Sequence, residues 1–242
     1  MEFVCKQFSL NHSKSTMKIG TDAILLSALS PNISPKNVLE IGTGCGIIAL
    51  CMAQKYNNAQ ITAIDIDHNS IEEAKDNFSR SKYNERLFAK EIDIQKFSKN
   101  STEKYDLIIS NPPFFVSSLE SPFAKRNKAR HTSTLGFEDL AFASKNLISD
   151  NGILALILPN KEAKIFENIA IKENLYTIER IKIFSRPIKD FQRVILHFKK
   201  LNFNDIALNE KYKTIVEREI IIRDNNNNFT QEYNSLVKEF LL

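Results

Sequence analysis

Residues 37–54 read NVLEIGTGCGIIALCMAQ, and this stretch predicts how the centre of the chain folds. Its first five residues form a short apolar run that is typical of a buried strand, and its last eight continue as an apolar helical run. Between them, Gly42, Gly44 and Gly46 stand at alternate positions. Glycines at such a junction let the backbone approach a ligand at the mouth of a helix, where free N–H groups and the helix dipole favour negative charge. The stretch therefore predicts a strand, a ligand-binding turn and a helix.

Short β-rich runs alternate with longer helical patterns on both sides of this stretch, which predicts an α/β protein with a parallel sheet covered by helices. The predicted strands are residues 37–41, 60–65, 86–91, 105–110 and 152–158. Two later β-rich stretches, at 176–185 and 193–199, predict an antiparallel hairpin. The end of the chain adds a short strand at 220–223, a turn of four asparagines and a final helix capped by Thr230.

The composition of the 242 residues is that of an ordinary globular protein, with 43% hydrophobic and 26% charged residues. A net charge of +4 permits a polyanionic partner without requiring one. Three cysteines without a CxxC pair indicate neither a disulfide framework nor a zinc site. The N-terminus lacks a signal pattern, and no apolar run approaches the roughly 18 residues of a membrane span. We expect one cytoplasmic domain without a metal, a membrane anchor or an obligate protein partner.

The glycine pattern discriminates between cofactors. A dinucleotide fingerprint requires G-x-G-x-x-G, but Ile47 occupies the place of the third glycine, so NAD is disfavoured. An acidic residue just before the first glycine, Glu40, together with the G-x-G-x-G run instead resembles the S-adenosylmethionine motif of class I methyltransferases. Asp65 ends the second predicted strand, about 20 residues after Gly42, where a carboxylate that accepts both ribose hydroxyls is expected. A plain tight turn between strand and helix is the alternative.

Two other aspartates near these strands have different expectations. Asp67 directly precedes a helical pattern, so it is expected to cap that helix and is left out of the site. The resemblance to the methyltransferases implies that Asp93, after the third strand, lies against the adenine amino group of the cofactor. An exposed loop aspartate is the alternative for Asp93.

The fourth predicted strand runs directly into Asn111-Pro112-Pro113-Phe114. Consecutive prolines stiffen the backbone, which holds the Asn111 amide and the Pro112 carbonyl still at the carboxyl end of a central strand. An amino nitrogen conjugated to a ring is a poor nucleophile, and two acceptors for its hydrogens favour the tetrahedral geometry that frees its lone pair. Phe114 offers a face for a planar substrate, and such stacking is worth about 1–3 kcal/mol. A plain proline turn would leave the asparagine unexplained.

Residues 18–26 read KIGTDAILL, which is similar to the opening K-[IV]-G-T-D-x-x-L-L of the bacterial tRNA1(Val) (adenine-N6) methyltransferases. The similarity continues through EIGTGCGIIAL, NPPFF, residues 129–131 and the closing KEFLL, and thus spans nearly the whole chain. It implies S-adenosyl-L-methionine as the cofactor and, as the substrate, the adenosine immediately 3′ of the tRNA anticodon.

The same resemblance implies a seven-stranded Rossmann-like class I methyltransferase fold with an antiparallel last strand. We expect a single domain with a short N-terminal helical lid (1–35), a catalytic core (36–200) and a C-terminal strand-turn-helix (201–242). It also implies that Thr21 and Asp22 help to close the lid over the methionine end of the cofactor. Alternatively, these two residues cap a helix at 23–29.

Two basic segments are candidates for contact with RNA. Residues 124–131 contain no acid, and a phosphate-contacting loop is predicted there beside the alternative of a solvated loop. The candidate contact residues in it are Lys125, Arg126, Arg130 and His131. The hairpin at 176–200 carries seven lysines or arginines against two acids, although alternate exposed positions of a strand would produce such charges anyway.

Rival functions remain open at the level of sequence. The Asn-Pro-Pro-Phe tetrapeptide is shared by enzymes that methylate adenine in ribosomal RNA or DNA, guanine, and protein glutamine. The glutamine enzymes carry a long helical domain before the glycine motif, for which the 39 residues before Glu40 leave no room. A cofactor-binding RNA chaperone without turnover would have no need of the two acceptors at Asn111 and Pro112.

Overall fold

The computed structural model describes residues 2–15, 18–113, 135–187, 190–201 and 214–241. Within them, the helices and strands below are numbered in chain order. The strands are β1 (Glu2–Val4), β2 (Ser9–Asn11), β3 (Asn37–Ile41), β4 (Gln60–Asp65), β5 (Leu87–Glu91), β6 (Tyr105–Ser110), β7 (Ile148–Pro159), β8 (Leu175–Phe184), β9 (Arg193–Lys200) and β10 (Val216–Ile221). The helices are α1 (Thr21–Ala28), α2 (Ile47–Lys55), α3 (His68–Ser79), α4 (Ile94–Asn100), α5 (Phe137–Leu147), α6 (Asn160–Lys172) and α7 (Gln231–Val237).

The described strands form an eight-stranded sheet in the order β10-β8-β9-β7-β6-β3-β4-β5, while β1 and β2 form a separate hairpin. In the large sheet β9 is antiparallel to both of its neighbours, and the other pairs are parallel. The predicted α/β class and the antiparallel strand are therefore confirmed. β10 adds an eighth strand to the expected seven, because the C-terminal extension pairs along β8.

Helices cover both faces of the sheet, so successive residues of a central strand contact different cores. Val38 of β3 contributes to the core shared with α1, α2, α3 and α7, whereas Leu39 and Ile41 contribute to the core shared with α4, α5 and α6. Alternation of side chains across a strand explains this division. Burial on both faces also explains why the central strands read as continuous apolar runs.

Several local expectations are confirmed. Asp67 caps α3 by accepting a hydrogen bond from the Ser70 amide at 2.8 Å, and Thr230 caps α7 by accepting one from the Tyr233 amide at 3.1 Å. The alternative role of Thr21 and Asp22 as a helix cap is not found, because α1 begins at Thr21 itself and Gly20 occupies the N-cap position without a side-chain bond.

Candidate active site at the carboxyl edge of the sheet

The turn after β3 has the conformation that its glycines allow. Gly42, Gly44 and Gly46 have φ values of 76°, 54° and 88°, all in the left-handed region that other L-residues avoid. The amides of Gly42 and Thr43 donate to the Ile64 carbonyl at 2.9 and 3.1 Å, which ties the turn to the end of β4. A Cβ atom placed on Gly42 or Gly44 would meet no atom within 4 Å. The turn therefore borders open space at the mouth of α2.

Glu40 is buried beneath this turn and holds it to α2. Its Oε2 accepts hydrogen bonds from the Thr43 hydroxyl at 2.6 Å and from the Ala49 amide at 3.0 Å. Its Oε1 has no hydrogen-bond partner within the described parts of the chain. Burial raises the pKa of Glu40 from 4.5 to about 8, against the lowering effect of the two hydrogen bonds. The contacts of Glu40 are thus with the turn itself.

Asp65 lies at the end of β4 beside the glycine turn. One carboxylate oxygen accepts the Gly44 amide at 2.9 Å, and the other accepts the Asp67 amide at 3.0 Å. These bonds fix the orientation of the carboxylate and leave further lone pairs on both oxygens. The structure therefore brings together Asp65 and the turn, as the sequence spacing predicted.

Asp93 follows β5 and forms the N-cap of α4. Its Oδ1 accepts hydrogen bonds from the amides of Gln95 and Lys96 at 2.8 and 3.2 Å. The neighbouring Ile92 amide donates to the Asp65 carbonyl at 2.9 Å, which holds this segment against the end of β4. Asp93 is thus a helix cap next to the candidate cofactor site, rather than an exposed loop residue.

Asn111 and Pro112 follow β6, next to the end of β3. The Ser110 hydroxyl donates to the Ile41 carbonyl at 2.6 Å and so joins the ends of these two strands. The Asn111 Oδ1 atom is buried and has no hydrogen-bond partner among the described residues. Pro112 is buried as well. A fixed, buried and unpaired acceptor therefore lies at the same edge as the glycine turn.

The other residues predicted at this edge fall into two groups. Phe114, Lys125, Arg126, Arg130 and His131 lie outside the described residues. At the N-terminal segment, Thr21 is exposed, whereas the Asp22 carboxylate pairs with the Arg193 guanidinium at 2.8 Å. Arg193 begins β9 opposite Pro159, the last residue of β7, so this ion pair brings the start of α1 to the carboxyl edge.

The basic hairpin formed by β8 and β9 does not present a row of unpaired charges. Arg180 pairs with Glu167 at 2.6 Å and with Glu217 at 2.7 Å, and Lys182 pairs with Glu217 at 2.8 Å. Among the described basic residues of the hairpin, Arg193 is also in an ion pair, with Asp22. This pairing weakens the prediction that the hairpin contacts phosphates along its length.

Comparison with known proteins decides the family. A family model described as the methyltransferase small domain matches residues 9–163. Relatives from Flavobacterium psychrophilum and Flavobacterium johnsoniae, both named tRNA1(Val) (adenine(37)-N6)-methyltransferase, are 36% identical to this chain. Each alignment covers 99% of this chain and 99% of the relative. The chain belongs to this methyltransferase family.

The fold of the methyltransferase is also found in a solved structure. The crystal structure of a predicted O-methyltransferase from Agrobacterium tumefaciens superposes with a TM-score of 0.64 at 18% identity. The match covers 90% of this chain and 96% of the other. Fold and family together establish the protein as an enzyme that uses S-adenosyl-L-methionine as its cofactor.

The residues at the carboxyl edge fit that cofactor. The open space beside Gly42 and Gly44 leaves room for a ligand, and the Asp65 carboxylate faces the same turn.

Within the described ranges, no group of three or more His, Cys, Asp or Glu side chains could hold a metal ion. No helix in those ranges is long and apolar enough to cross a membrane.

Sequence reasoning missed three residues that support this edge. Arg193 was counted only as one charge of the basic hairpin, but it holds Asp22. Glu73 and Asn77 of α3 were given no role in the site, but both are buried. Their spacing of four residues on α3 places them on one helix face, which is the signal that could have suggested a common partner.

Proposed function

We propose that the enzyme transfers a methyl group from S-adenosyl-L-methionine to the exocyclic N6 amino group of an adenosine in tRNA. The proposed target is the adenosine 3′ of the anticodon of tRNA1(Val), after the names of the relatives. The observation that carries this proposal is the buried Oδ1 of Asn111 after β6, which has no hydrogen-bond partner in the described part of the chain. Such an atom costs stability, about 1–3 kcal/mol, unless a ligand provides the missing donor.

The roles of Asn111 and Pro112 follow from this acceptor. The Asn111 amide oxygen and the Pro112 carbonyl oxygen each accept one hydrogen of the substrate amino group and hold its nitrogen near tetrahedral geometry. In that geometry the lone pair is free to attack, and the proton then leaves to water. S-adenosyl-L-methionine, when bound, supplies a methyl group activated by a sulfonium. Phe114 is proposed to stack on the adenine.

The cofactor residues are proposed to act through the geometry of the glycine turn. Asp65 accepts the ribose hydroxyls, Asp93 receives the adenine amino group, and Glu40 keeps the turn in place from below. Thr21 and Asp22 are proposed to close over the methionine end, in a lid formed by residues 1–35. The remaining proposed contacts are the turn residues Gly42, Gly44 and Gly46.

For the RNA, we propose contacts by the basic segment that contains Lys125, Arg126, Arg130 and His131. The target adenine must leave its stack to reach Asn111, which costs a few kcal/mol and less in a loop than in a duplex. An anticodon loop therefore suits the site. The chain is proposed to act in the cytoplasm as one domain, with 36–200 as the catalytic core and 201–242 as an extension.

A parallel assay tests the substrate. The purified enzyme is offered methyl-labelled cofactor together with bulk tRNA, adenine-containing DNA or a release factor, and labelled products are digested and identified. We expect label in tRNA as N6-methyladenosine at the position 3′ of the anticodon. Label that enters only DNA or only protein would overturn the proposal.

A further inference from the structure

Helix α3 buries a carboxylate that binds the N-terminal segment. Glu73 is 3% exposed, and its Oε1 accepts hydrogen bonds from the amides of Ser13 at 2.8 Å and Lys14 at 2.9 Å. Its Oε2 accepts the Ser15 amide at 2.8 Å. Although burial raises the pKa of Glu73, these hydrogen bonds hold it below its ordinary value. One ionised side chain thus binds residues 13–15, which belong to a stretch, residues 11–15, that is here termed the anchored segment.

One turn further along α3, Asn77 joins the anchored segment to the glycine turn. The Asn11 amide donates to Asn77 Oδ1 at 2.8 Å, and Asn77 Nδ2 donates back to the Asn11 carbonyl at 2.8 Å. The same Nδ2 donates to the Cys45 carbonyl, again at 2.8 Å. Because Arg80 also donates to Oδ1 at 2.7 Å, every bond agrees with one orientation of the amide. A single buried side chain therefore holds both backbones.

The glycine turn also packs directly on α3. A Cβ atom on Gly46 would lie 2.4 Å from Cε1 of Phe78, so the backbone can approach this ring only because residue 46 is glycine. Phe78 is the neighbour of Asn77 in the chain. The helix therefore supports the anchored segment and the glycine turn over adjacent residues.

The anchored segment and the start of α1 lie on opposite sides of the glycine turn. Both α3 and α1 cover the same face of the sheet, but α3 packs over β4 and β5, whereas α1 packs against α2 and β7. Since β3 lies between β4 and β7, Ser15 and Thr21 flank the glycine turn. The ion pair from Asp22 to Arg193 holds the far end at the carboxyl edge.

We propose that Glu73 and Asn77 are positioning residues for the cofactor. They do not touch it; they hold the anchored segment against the glycine turn, so that cofactor binding stabilises both backbones together. Couplings of this kind typically change an affinity by about 5- to 150-fold. The proposal does not depend on which substrate is methylated. It rests only on the part of the proposed function that places the cofactor at the glycine turn.

Cofactor affinity provides the first test. The dissociation constant of S-adenosyl-L-methionine is measured by calorimetry, without RNA, for the full chain and for Glu73→Ala, Glu73→Gln and Asn77→Ala. We expect about tenfold weaker binding for the two alanine variants, within the usual range of such coupling. Glu73→Gln keeps an acceptor oxygen and should fall between them and the parent. In turnover, the KM for the cofactor should rise far more than kcat falls.

Glu72→Ala is the matched control. Glu72 precedes Glu73 on the same helix, but it lies at the surface and pairs with Lys75 at 2.9 Å. Its removal should leave the dissociation constant unchanged. If Asn77→Ala or Glu73→Gln folds with a melting temperature near that of the parent and binds the cofactor as tightly as Glu72→Ala does, the two residues are merely structural and the proposal is wrong.

Hydrogen exchange gives a readout that is independent of turnover. The cofactor should slow exchange of the amides of residues 13–15 in the parent chain. In Asn77→Ala, Glu73 still binds these amides, but the link to Cys45 is gone, so the cofactor should no longer slow their exchange. Exchange that is insensitive to the cofactor in the parent would overturn the proposal. Neither result depends on which nucleic acid or protein is methylated.

Discussion

The Asn111 amide oxygen and one oxygen of Glu40 are buried without hydrogen-bond partners among the described residues, and both lie at the carboxyl edge of the sheet. Each unpaired buried polar atom lowers the free energy of unfolding by about 1–3 kcal/mol, a cost that an apolar group at the same place would not have. Violations of packing rules of this kind concentrate at functional sites. At the scale of single residues, the candidate active site is therefore one of the places where the described fold gives up stability.

Glu40 makes stability depend on pH. Burial raises its pKa to about 8, so the folded state favours the neutral carboxyl, whereas the unfolded chain titrates near 4.5. The stabilisation from Glu40 is complete below pH 4.5 and is lost as the pH rises towards about 8. Glu40→Gln, which is always neutral, should therefore gain melting temperature over the parent between pH 5 and 8.5. Each kcal/mol of this gain corresponds to about 2–4 °C.

The measurement is a series of thermal melts without cofactor over that range of pH. Glu72→Gln serves as the control, because Glu72 is at the surface. A difference between parent and Glu40→Gln that stays constant across the range would contradict the assigned protonation of Glu40.

Residue roles that depend on neighbours in the chain could be predicted from the sequence, and those that depend on distant partners could not. The caps at Asp67 and Thr230 are local, since each bonds an amide three residues later. Asp22 looks like a cap by the same rule, but it is bound instead by Arg193, 171 residues away. Glu73 likewise binds amides about 60 positions earlier, and no local pattern indicates such a partner.

At the scale of elements, the glycine turn connects β3, α2 and α3. Its three glycines have left-handed φ values for a shared reason, the sharp reversal from strand to helix. They differ in their surroundings, because Gly46 packs against Phe78 and Gly42 borders open space. A comparison of substitutions at Gly42 and Gly46 can therefore distinguish the cost of a left-handed backbone from the cost of a steric clash.

Gly46→Ala and Gly42→Ala form a matched pair. Both introduce a left-handed alanine, at about 1–2 kcal/mol. Only the substitution at Gly46 adds a clash with Phe78, and overpacking of this kind costs about 1–3 kcal/mol. In urea denaturation, Gly46→Ala should therefore lose clearly more free energy of unfolding than Gly42→Ala. Equal losses would contradict the close contact between turn and helix.

Three central strands could be predicted to the residue, whereas β7 begins four residues before its expected start and the outer strand β10 also begins early. β3, β4 and β6 match the expected ranges because both of their faces are buried and the chain there is apolar. β10 was expected only at residues 220–223, but it begins at Val216. Its charged start gives no apolar signal and is stabilised by ion pairs from Glu217 to Arg180 and Lys182 on β8.

At the scale of the whole molecule, the basic side chains along the outer strands β8 and β10 differ in their partners from those at the carboxyl ends of the strands. Along β8 and β10, acids pair with the basic side chains. At the carboxyl edge, Arg186 donates to the Asn227 side chain at 2.8 Å, and Arg223 donates to the Asn227 carbonyl at 2.7 Å. Neither arginine is in an ion pair with another described residue. Arg223 also lies over the Phe229 ring, 3.9 Å from its centroid, so neither charge is neutralised by a described acid on the side of the sheet that carries Asn111.

Salt dependence of tRNA binding tests whether this edge contacts phosphates. The slope of log affinity against log salt is negative, and removing one phosphate contact makes it shallower by about 0.7 for single-stranded RNA. We expect this change for Arg223→Ala and for Arg186→Ala. Arg218→Ala is the control, because Arg218 is on the same extension but pairs with Glu179 on the sheet at 3.4 Å. If the slopes of Arg223→Ala and Arg186→Ala equal those of the parent and of Arg218→Ala, neither Arg186 nor Arg223 contacts an RNA phosphate.

The central claim is that Asn111 positions the amino group that is methylated. The most direct measurement compares Asn111→Ala with the parent in single-turnover methylation of tRNA, alongside calorimetric binding of S-adenosyl-L-methionine. We predict a rate lower by about 100- to 1,000-fold, the usual loss for one preorganised hydrogen bond in a transition state, with cofactor affinity within a few fold of the parent. A variant that methylates tRNA at a near-parental rate would contradict the account.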